Sequence, residues 1–447
     1  MPDAPAPPPQ TVFLHIGAPK SGTTFVQGVL WRNAELLAEH GVIMPGGSFG
    51  AHVAATRDLR GLRREPDDPA PDWDGAWDRL VERIRESSGH VAVISNEVLA
   101  ATDADQVKRA VESLAPAEVH VIYSARDLGS LLPSEWQEYV KHRFHFDFGK
   151  WLSEVVDGPR DEAAGAWFWR VHDIPGVLGR WAAVLPPERI HVLTMPRPGS
   201  PPTLLWERFA SLIGIDPELV DLSEARTNSS LSWTETELLR RLNQAVDEDA
   251  PMWLYHQLVT DVLALKILPG RGEPGRVPLP ADRREWAART SESLVAAVRD
   301  AGYDVVGDLG ELLAEPGPVA GPAPAPGDPE LLDAATHTIL GLLDRISMLR
   351  TEIGDLQRER NEQRATALPK LMARHLSERN QAVWKMRVGY WHLVERMRGV
   401  EAPAPPAPAA PEDAAGDESA EPLDGTVAEE ETGPLLSSRT ASTTSRG

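Results

Sequence analysis

Short runs of apolar residues alternate with helical patterns over about the first 313 residues of the chain. Each run has the length and the β-branched content of a buried strand, and each is followed by an amphipathic stretch. Strands that are apolar on both faces and separated by helices are typical of a parallel sheet covered on both sides. We therefore predict a three-layer α/β/α fold with a central parallel sheet. The predicted strands are 11–17, 90–96, 118–125 and 189–195.

The pattern changes at both ends of this region. Residues 1–10 form a Pro-rich leader that we expect to be disordered, and 11–313 form the α/β domain. Residues 314–329 are rich in Pro and Gly and predict a semi-rigid linker. A helical extension is predicted over 330–400, followed by an acidic tail at 401–447 whose composition indicates disorder.

The helical extension contains apolar residues with alternating spacings of three and four. This spacing indicates either a coiled coil, through which the chain would associate with itself, or a helix packed on the α/β domain. Both interpretations stay open, because the repeat is nearly three heptads long. The residues of the repeat are Ile339, Leu342, Ile346, Leu349, Ile353 and Leu356.

Composition narrows the function classes. The chain has no cysteine, so a disulfide framework and a thiolate nucleophile are excluded, and a reducing compartment is favoured. Its formal net charge of −22 disfavours binding to nucleic acid. No apolar run approaches the roughly 20 residues of a membrane span, and residues 1–10 lack the features of a secretory signal. We therefore expect a cytoplasmic protein.

The segment that follows the first strand predicts a binding site for a phosphate or sulfate group. Two glycines allow the backbone to curl, so that successive N–H groups point at one anion at the start of a helix. A lysine adds a mobile cation, and three hydroxyl groups can donate hydrogen bonds. The residues of this site are Gly17, Pro19, Lys20, Ser21, Gly22, Thr23 and Thr24.

The order of these residues differs from the nucleoside-triphosphate loop, in which Gly-Lys-Ser/Thr closes the motif and the hydroxyl binds Mg²⁺. The order Pro-Lys-Ser-Gly-Thr-Thr at 19–24 resembles the phosphosulfate loop of the sulfotransferase family. The resemblance implies 3′-phosphoadenosine 5′-phosphosulfate as the co-substrate and no metal. It also implies that Lys20 contacts the bridging oxygen that leaves with the nucleotide, where negative charge develops during transfer.

A donor with a 3′-phosphate needs a second anion site, and Arg126 follows the strand 118–125 directly. The family uses an Arg and a Ser at this spacing, which implies that Arg126 and Ser134 hold the 3′-phosphate. The match is partial, because Leu128 stands where the family has Pro and Ser130 stands where it often has Asp. Arg276, in a late loop rich in Gly and Pro, resembles a further nucleotide contact.

Transfer to a hydroxyl also needs a base. Glu97 follows the strand 90–96 at the edge where α/β sites assemble, and a Glu there resembles the base of some sulfotransferase branches. His52, after the first helix, has a side chain whose ordinary pKa suits the task. The alternatives are that Glu97 caps a helix and that His52 is a core residue. The sequence leaves all of these open.

We therefore interpret the chain as a sulfotransferase that acts on a hydroxyl of a glycan, a lipid or a small molecule. A nucleoside-triphosphate kinase and a non-catalytic helical interaction protein are the alternatives. Aromatic residues that could stack on an acceptor are concentrated in 136–182, although core packing is the more common role of such residues. They are Trp136, Tyr139, Trp151, Trp167, Trp169 and Trp181.

Overall fold

The computed structural model describes residues 10–65, 67–222, 231–271, 277–314, 325–379 and 385–386. The chain divides into two compact units. The described residues up to Thr338 belong to the first unit, and those from Ile339 onward belong to the second. Residues 1–9 of the predicted leader, most of the predicted linker and the acidic tail lie outside the described residues, as does Arg276.

A parallel sheet forms the centre of the first unit. Its described strands are β1 Thr11–Gly17, β2 Val42–Ile43, β3 Val91–Ser95, β4 Glu118–Ala125, β5 Ile190–Thr194 and β6 Asp304–Val306. They lie in the order β2-β3-β1-β4-β5-β6, and each neighbouring pair is parallel. The α/β prediction and its four strands are confirmed. The sequence missed β2 and β6 because strands of two and three residues are too short for a periodic pattern.

Helices connect the strands and cover the sheet. In the first unit they are α1 Thr23–Arg32, α2 Ala34–Glu39, α3 Phe49–Leu59, α4 Ala76–Glu86, α5 Ala104–Ser113, α6 Leu128–Lys141, α7 Phe148–Val156, α8 Ala163–His172, α9 Ile174–Ala182, α10 Leu204–Ile213, α11 Trp233–Ala245, α12 Met252–Tyr255 and α13 Ala281–Ala301. A π-type helix, His256–Ile267, continues α12. A further helix, α14 Asp328–Arg379, begins in the first unit and continues into the second.

Successive side chains of β1 point to opposite faces of the sheet, and helices pack on each face to give three layers. Leu14 and its neighbours at even positions pack with α4, α5 and α9 on one face of the sheet, where Trp77 and Trp181 are fully buried. Phe13 packs on the opposite face with α1 and α10. The sheet is therefore apolar on both faces, which explains why its strands read as nearly continuous apolar runs.

Five of the six aromatic residues singled out in 136–182 are buried core residues, and the sixth, Trp167, is half-buried. Trp136, Trp151 and Trp169 are buried in a second hydrophobic cluster built from α6, α7, α8, α11 and the π-type helix. The Trp169 indole donates to the Val155 carbonyl at 2.9 Å, and the rings of Tyr139 and Trp151 pack edge to face at 5.4 Å. Burial leaves these rings no open face for an acceptor, so core packing is their role.

Candidate active site

The loop between β1 and α1 has a backbone that requires glycine at two positions. Gly17 has φ +132°, and a Cβ there would lie 2.8 Å from the carbonyl oxygen of Glu97. Gly22 has φ +80°, and a Cβ there would lie 2.4 Å from the Leu205 side chain. Because α1 begins at Thr23, the loop ends at a helix N-terminus, where the free backbone N–H groups favour an anion.

Lys20 is held at both its backbone and its side chain. Its carbonyl oxygen accepts a hydrogen bond of 3.0 Å from Nη1 of Arg126, and its ammonium group forms an ion pair with Glu138. Burial disfavours the charged ammonium, but the carboxylates of Glu138, Glu135 and Glu97 outweigh that cost and raise the pKa of Lys20 above its ordinary value. Lys20 therefore stays cationic at neutral pH, as an anion site requires.

The Glu138 carboxylate contacts three basic side chains. This residue was not identified from the sequence. Besides Lys20, its carboxylate lies 3.3 Å from the Lys141 ammonium and 3.5 Å from Nε2 of His142. Burial alone would raise the pKa of Glu138, but Lys20 and its other basic neighbours hold it well below the ordinary value. Glu138 is therefore an anion that pairs with Lys20.

Glu97 lies against the start of α1. It opens a short helix, Glu97–Ala101, directly after β3, and its carboxylate accepts a hydrogen bond from the Thr23 hydroxyl. Asn96 caps that helix instead, since its side chain accepts from the N–H of Val98 at 3.0 Å. Burial raises the pKa of Glu97 above the ordinary carboxyl value, although Thr23 and Lys20 oppose the shift. A carboxyl group with a raised pKa is suited to accept a proton.

His52 occupies a different environment. It is fully buried, its Nε2 donates to the Pro45 carbonyl at 2.9 Å, and its Nδ1 accepts from the N–H of Ser95 at 3.2 Å. Burial lowers its pKa to about 4. Both ring nitrogens are thus engaged with the backbone, which leaves neither of them available to a substrate hydroxyl in this arrangement.

Arg126 and Ser134 lie on either side of the start of α6. Arg126 follows β4 and contacts the loop through Lys20, as described above. Asp127 caps α6 by accepting from the N–H of Ser130 at 2.8 Å, which places the helix start at Leu128. The Ser134 hydroxyl donates to the Ser130 carbonyl at 3.0 Å. Ser130, Ser134 and Glu138 are spaced by four and therefore share one face of α6.

A buried polar network lies below the loop, and sequence reasoning missed it. His15 on β1 lies 2.8 Å from the Ser95 hydroxyl and 3.0 Å from the Ser124 hydroxyl, and Gln27 donates to Ser95 at 3.2 Å. This network joins β1, β3 and β4 just before the strands reach the site. A histidine inside an otherwise apolar strand was the available signal, because a buried imidazole needs polar partners.

Burial lowers the pKa of His15 to about 3 from its ordinary value of 6.5, so the neutral ring stabilises the fold. That contribution is complete above about pH 6.5 and is lost as the pH falls from there toward 3. Between pH 7 and pH 5 the free energy of unfolding of both chains should fall. We expect it to fall by about 2 kcal/mol more in the unaltered chain than in His15→Asn. Urea unfolding at both pH values measures this difference.

His40→Asn, which alters an exposed ring on the surface, is the control for the His15 experiment. A pH dependence of His15→Asn identical to that of the unaltered chain would contradict the assignment.

Two broader features of the described residues bear on the site. They contain no group of three or more His, Asp or Glu side chains arranged to hold a metal ion. In the same part of the chain, no helix is long and apolar enough to cross a lipid bilayer.

Comparison with known proteins gives one distant structural likeness. No family model and no curated protein matches the chain. The crystal structure of a sulfotransferase from Alicyclobacillus acidocaldarius is similar with a TM-score of 0.32 and 17% identity. The match covers 48% of this chain and 85% of that one. A likeness at this level does not by itself identify a function.

Proposed function

We propose that the chain is a sulfotransferase that moves a sulfuryl group from 3′-phosphoadenosine 5′-phosphosulfate to a hydroxyl group of its acceptor. The observation that carries the proposal is the position of Lys20. This lysine lies in a phosphosulfate-type loop, is bonded through its carbonyl to Arg126, and shares a cluster with Glu97. Three neighbouring strands supply these residues at their carboxyl ends, where ligands of open α/β sheets bind.

The donor has two anionic ends, and the loop and the connection from β4 to α6 offer a group for each. The loop, its glycines and Lys20 suit the 5′-phosphosulfate, since backbone N–H groups and a cation converge there. Arg126 suits the 3′-phosphate, because a guanidinium binds a phosphate through two parallel hydrogen bonds. Ser134, on α6 just after Arg126, supplies a hydroxyl one turn from the Ser130 carbonyl that it contacts.

Opposite pKa shifts separate the roles of two nearby carboxyl groups. Glu97, with a raised pKa, is the base that takes the proton of the acceptor hydroxyl. The acceptor oxygen then forms its bond to sulfur while the bond from sulfur to the 5′-phosphate oxygen breaks. Lys20 stabilises the charge on that leaving oxygen. Glu138, with a lowered pKa, stays ionised and serves as the counter-ion of Lys20. The products are the sulfated acceptor and adenosine 3′,5′-bisphosphate.

The acceptor belongs to the hydroxyl-bearing glycans, lipids or small molecules. The basic residues at the end of α6 do not form a free anion-binding patch. Lys141 and His142 pair with Glu138, and Arg143 donates to the carbonyl oxygens of Asp247 and Ala250. Acceptor choice therefore depends on groups other than this basic run.

Binding of adenosine 3′,5′-bisphosphate without Mg²⁺ tests the donor assignment. We expect Arg126→Ala to weaken this binding by about 10- to 100-fold, because it removes charge-assisted hydrogen bonds to the 3′-phosphate. Ser134→Ala should weaken it by less than about tenfold, since it removes one neutral donor. Isothermal titration calorimetry measures both effects.

Arg83→Ala is the matched control, because Arg83 is exposed on α4 and pairs only at the surface with Glu86. Two results would contradict the proposal. One is an Arg126→Ala variant with unchanged affinity for the bisphosphate. The other is an unaltered chain that ignores the bisphosphate and binds ATP only with Mg²⁺, which would favour the kinase alternative.

A further inference from the structure

An apolar stripe is exposed along the part of α14 that belongs to the second unit. Six side chains of the stripe are between 36% and 58% exposed, although each is a large aliphatic group. Such a run of exposed aliphatic residues is typical of an interaction surface. The residues of the stripe are Ile339, Leu342, Ile346, Leu349, Ile353 and Leu356.

The residues of the stripe have the heptad spacing of a coiled-coil seam. In heptad notation the a positions are Ile339, Ile346 and Ile353, and each d position is a leucine. Apolar residues repeated at a and d form the seam through which the helices of a coiled coil pack. The chain itself carries the complementary surface, so a second copy of this chain is the partner that the pattern fits.

A parallel arrangement of the two copies would place like charges together. Arg360 occupies the next a position and would face Arg360 of the second copy inside the seam. Arg345, at position g, would face Arg350 of the second copy at position e. Arginines opposed in this way repel each other and lose solvation, which disfavours the parallel form.

An antiparallel arrangement removes both conflicts. If Ile346 packs on Leu349 of the second copy, each isoleucine of the stripe meets a leucine through six consecutive layers. Arg345 then faces Glu352 of the second copy, and by symmetry this pair forms twice. Arg360 lies beyond the last layer instead of facing another arginine. We propose that residues 339–356 form an antiparallel two-stranded coiled coil between two copies of this chain.

Engineered cysteines test the proposal cleanly, because the natural chain has none. Antiparallel packing places Ile339 beside Leu356 of the second copy, whereas the two copies of Ile339 lie about 25 Å apart, given about 1.5 Å per helical residue. A disulfide needs Cα atoms within about 7 Å. Ile339→Cys and Leu356→Cys chains should therefore remain uncrosslinked when each is oxidised alone. An equimolar mixture of the two should give a band of twice the chain mass.

Light scattering on the full-length chain gives the oligomeric state without cysteines. The unaltered chain should have the mass of a dimer at tens of micromolar, and Leu349→Glu should have the mass of a monomer. Met348→Glu is the control, because Met348 is exposed on the same helix but lies off the stripe. The mass of this variant should stay that of a dimer. Crosslinking of Ile339→Cys alone would overturn the antiparallel orientation. A monomeric unaltered chain would overturn the proposal as a whole.

Discussion

Lys20→Met should lower kcat for sulfuryl transfer by about 10²- to 10³-fold, which is the usual cost of removing one group that stabilises transition-state charge. Methionine keeps most of the length of the side chain and removes the cation from the loop between β1 and α1. The fold should tolerate the change, because Glu138 keeps its contacts with Lys141 and His142. The measurement is the rate of transfer from labelled 3′-phosphoadenosine 5′-phosphosulfate to a panel of hydroxylated acceptors.

Binding of the product nucleotide separates catalysis from simple anion binding. Adenosine 3′,5′-bisphosphate lacks the sulfuryl group, so we expect Lys20→Met to weaken its binding by much less than it lowers kcat. Lys108→Met is the control, since Lys108 is exposed on α5 and pairs with Glu112 at the surface. An unchanged kcat in Lys20→Met would remove this lysine from the proposed mechanism. An equal loss of binding and kcat would reduce its role to ground-state anion binding.

Glu97→Gln should lower kcat by about 10²- to 10⁴-fold, which is the range for loss of a general base. Glutamine can still accept the hydrogen bond from Thr23, so the loop and nucleotide binding should be preserved. The pH profile adds a second readout. Because the base acts when it is deprotonated, kcat of the unaltered chain should rise with pH through the pKa of Glu97. Burial places that rise above the ordinary carboxyl range.

Glu112→Gln is the control for the Glu97 experiment, because it makes the same change at an exposed position on α5. Retention of the full rate and of the rising pH limb in Glu97→Gln would show that another group takes the proton. Activity lost in a folded His52→Gln chain, with Glu97→Gln active, would assign the base to His52 instead.

The strands and the loop could be predicted because their signals are local. A buried parallel strand is a run of apolar residues, and Pro19 to Thr24 carries its chemistry in consecutive positions. Glu138 has no such signal. It lies in an ordinary helical stretch, and only the tertiary contact with Lys20, across 118 residues of sequence, reveals its effect on the site. The catalytic roles of Lys20, Glu97 and Arg126 remain predictions that the experiments above test.

The two candidate bases show a second limit of sequence reasoning. Glu97 and His52 both follow elements near the loop, and residue identity alone leaves the choice of base between them open. Burial favours Glu97, because it raises the pKa of the carboxyl group and lowers that of the imidazole. The tryptophans of 136–182 are a similar case. Whether an indole faces a ligand or a core depends on packing, which residue identity does not specify.

If the proposed function holds, the ion pair between Lys20 and Glu138 should make the site selective among anions. Inorganic phosphate or sulfate entering the loop must compete with a carboxylate that is already bound to the lysine. Such a small ion would form hydrogen bonds to the loop alone. A ligand with a second anionic end that reaches Arg126 would also form charge-assisted hydrogen bonds to that residue. We therefore expect the Glu138 carboxylate to disfavour free phosphate or sulfate and to be displaced by a nucleotide with two anionic ends.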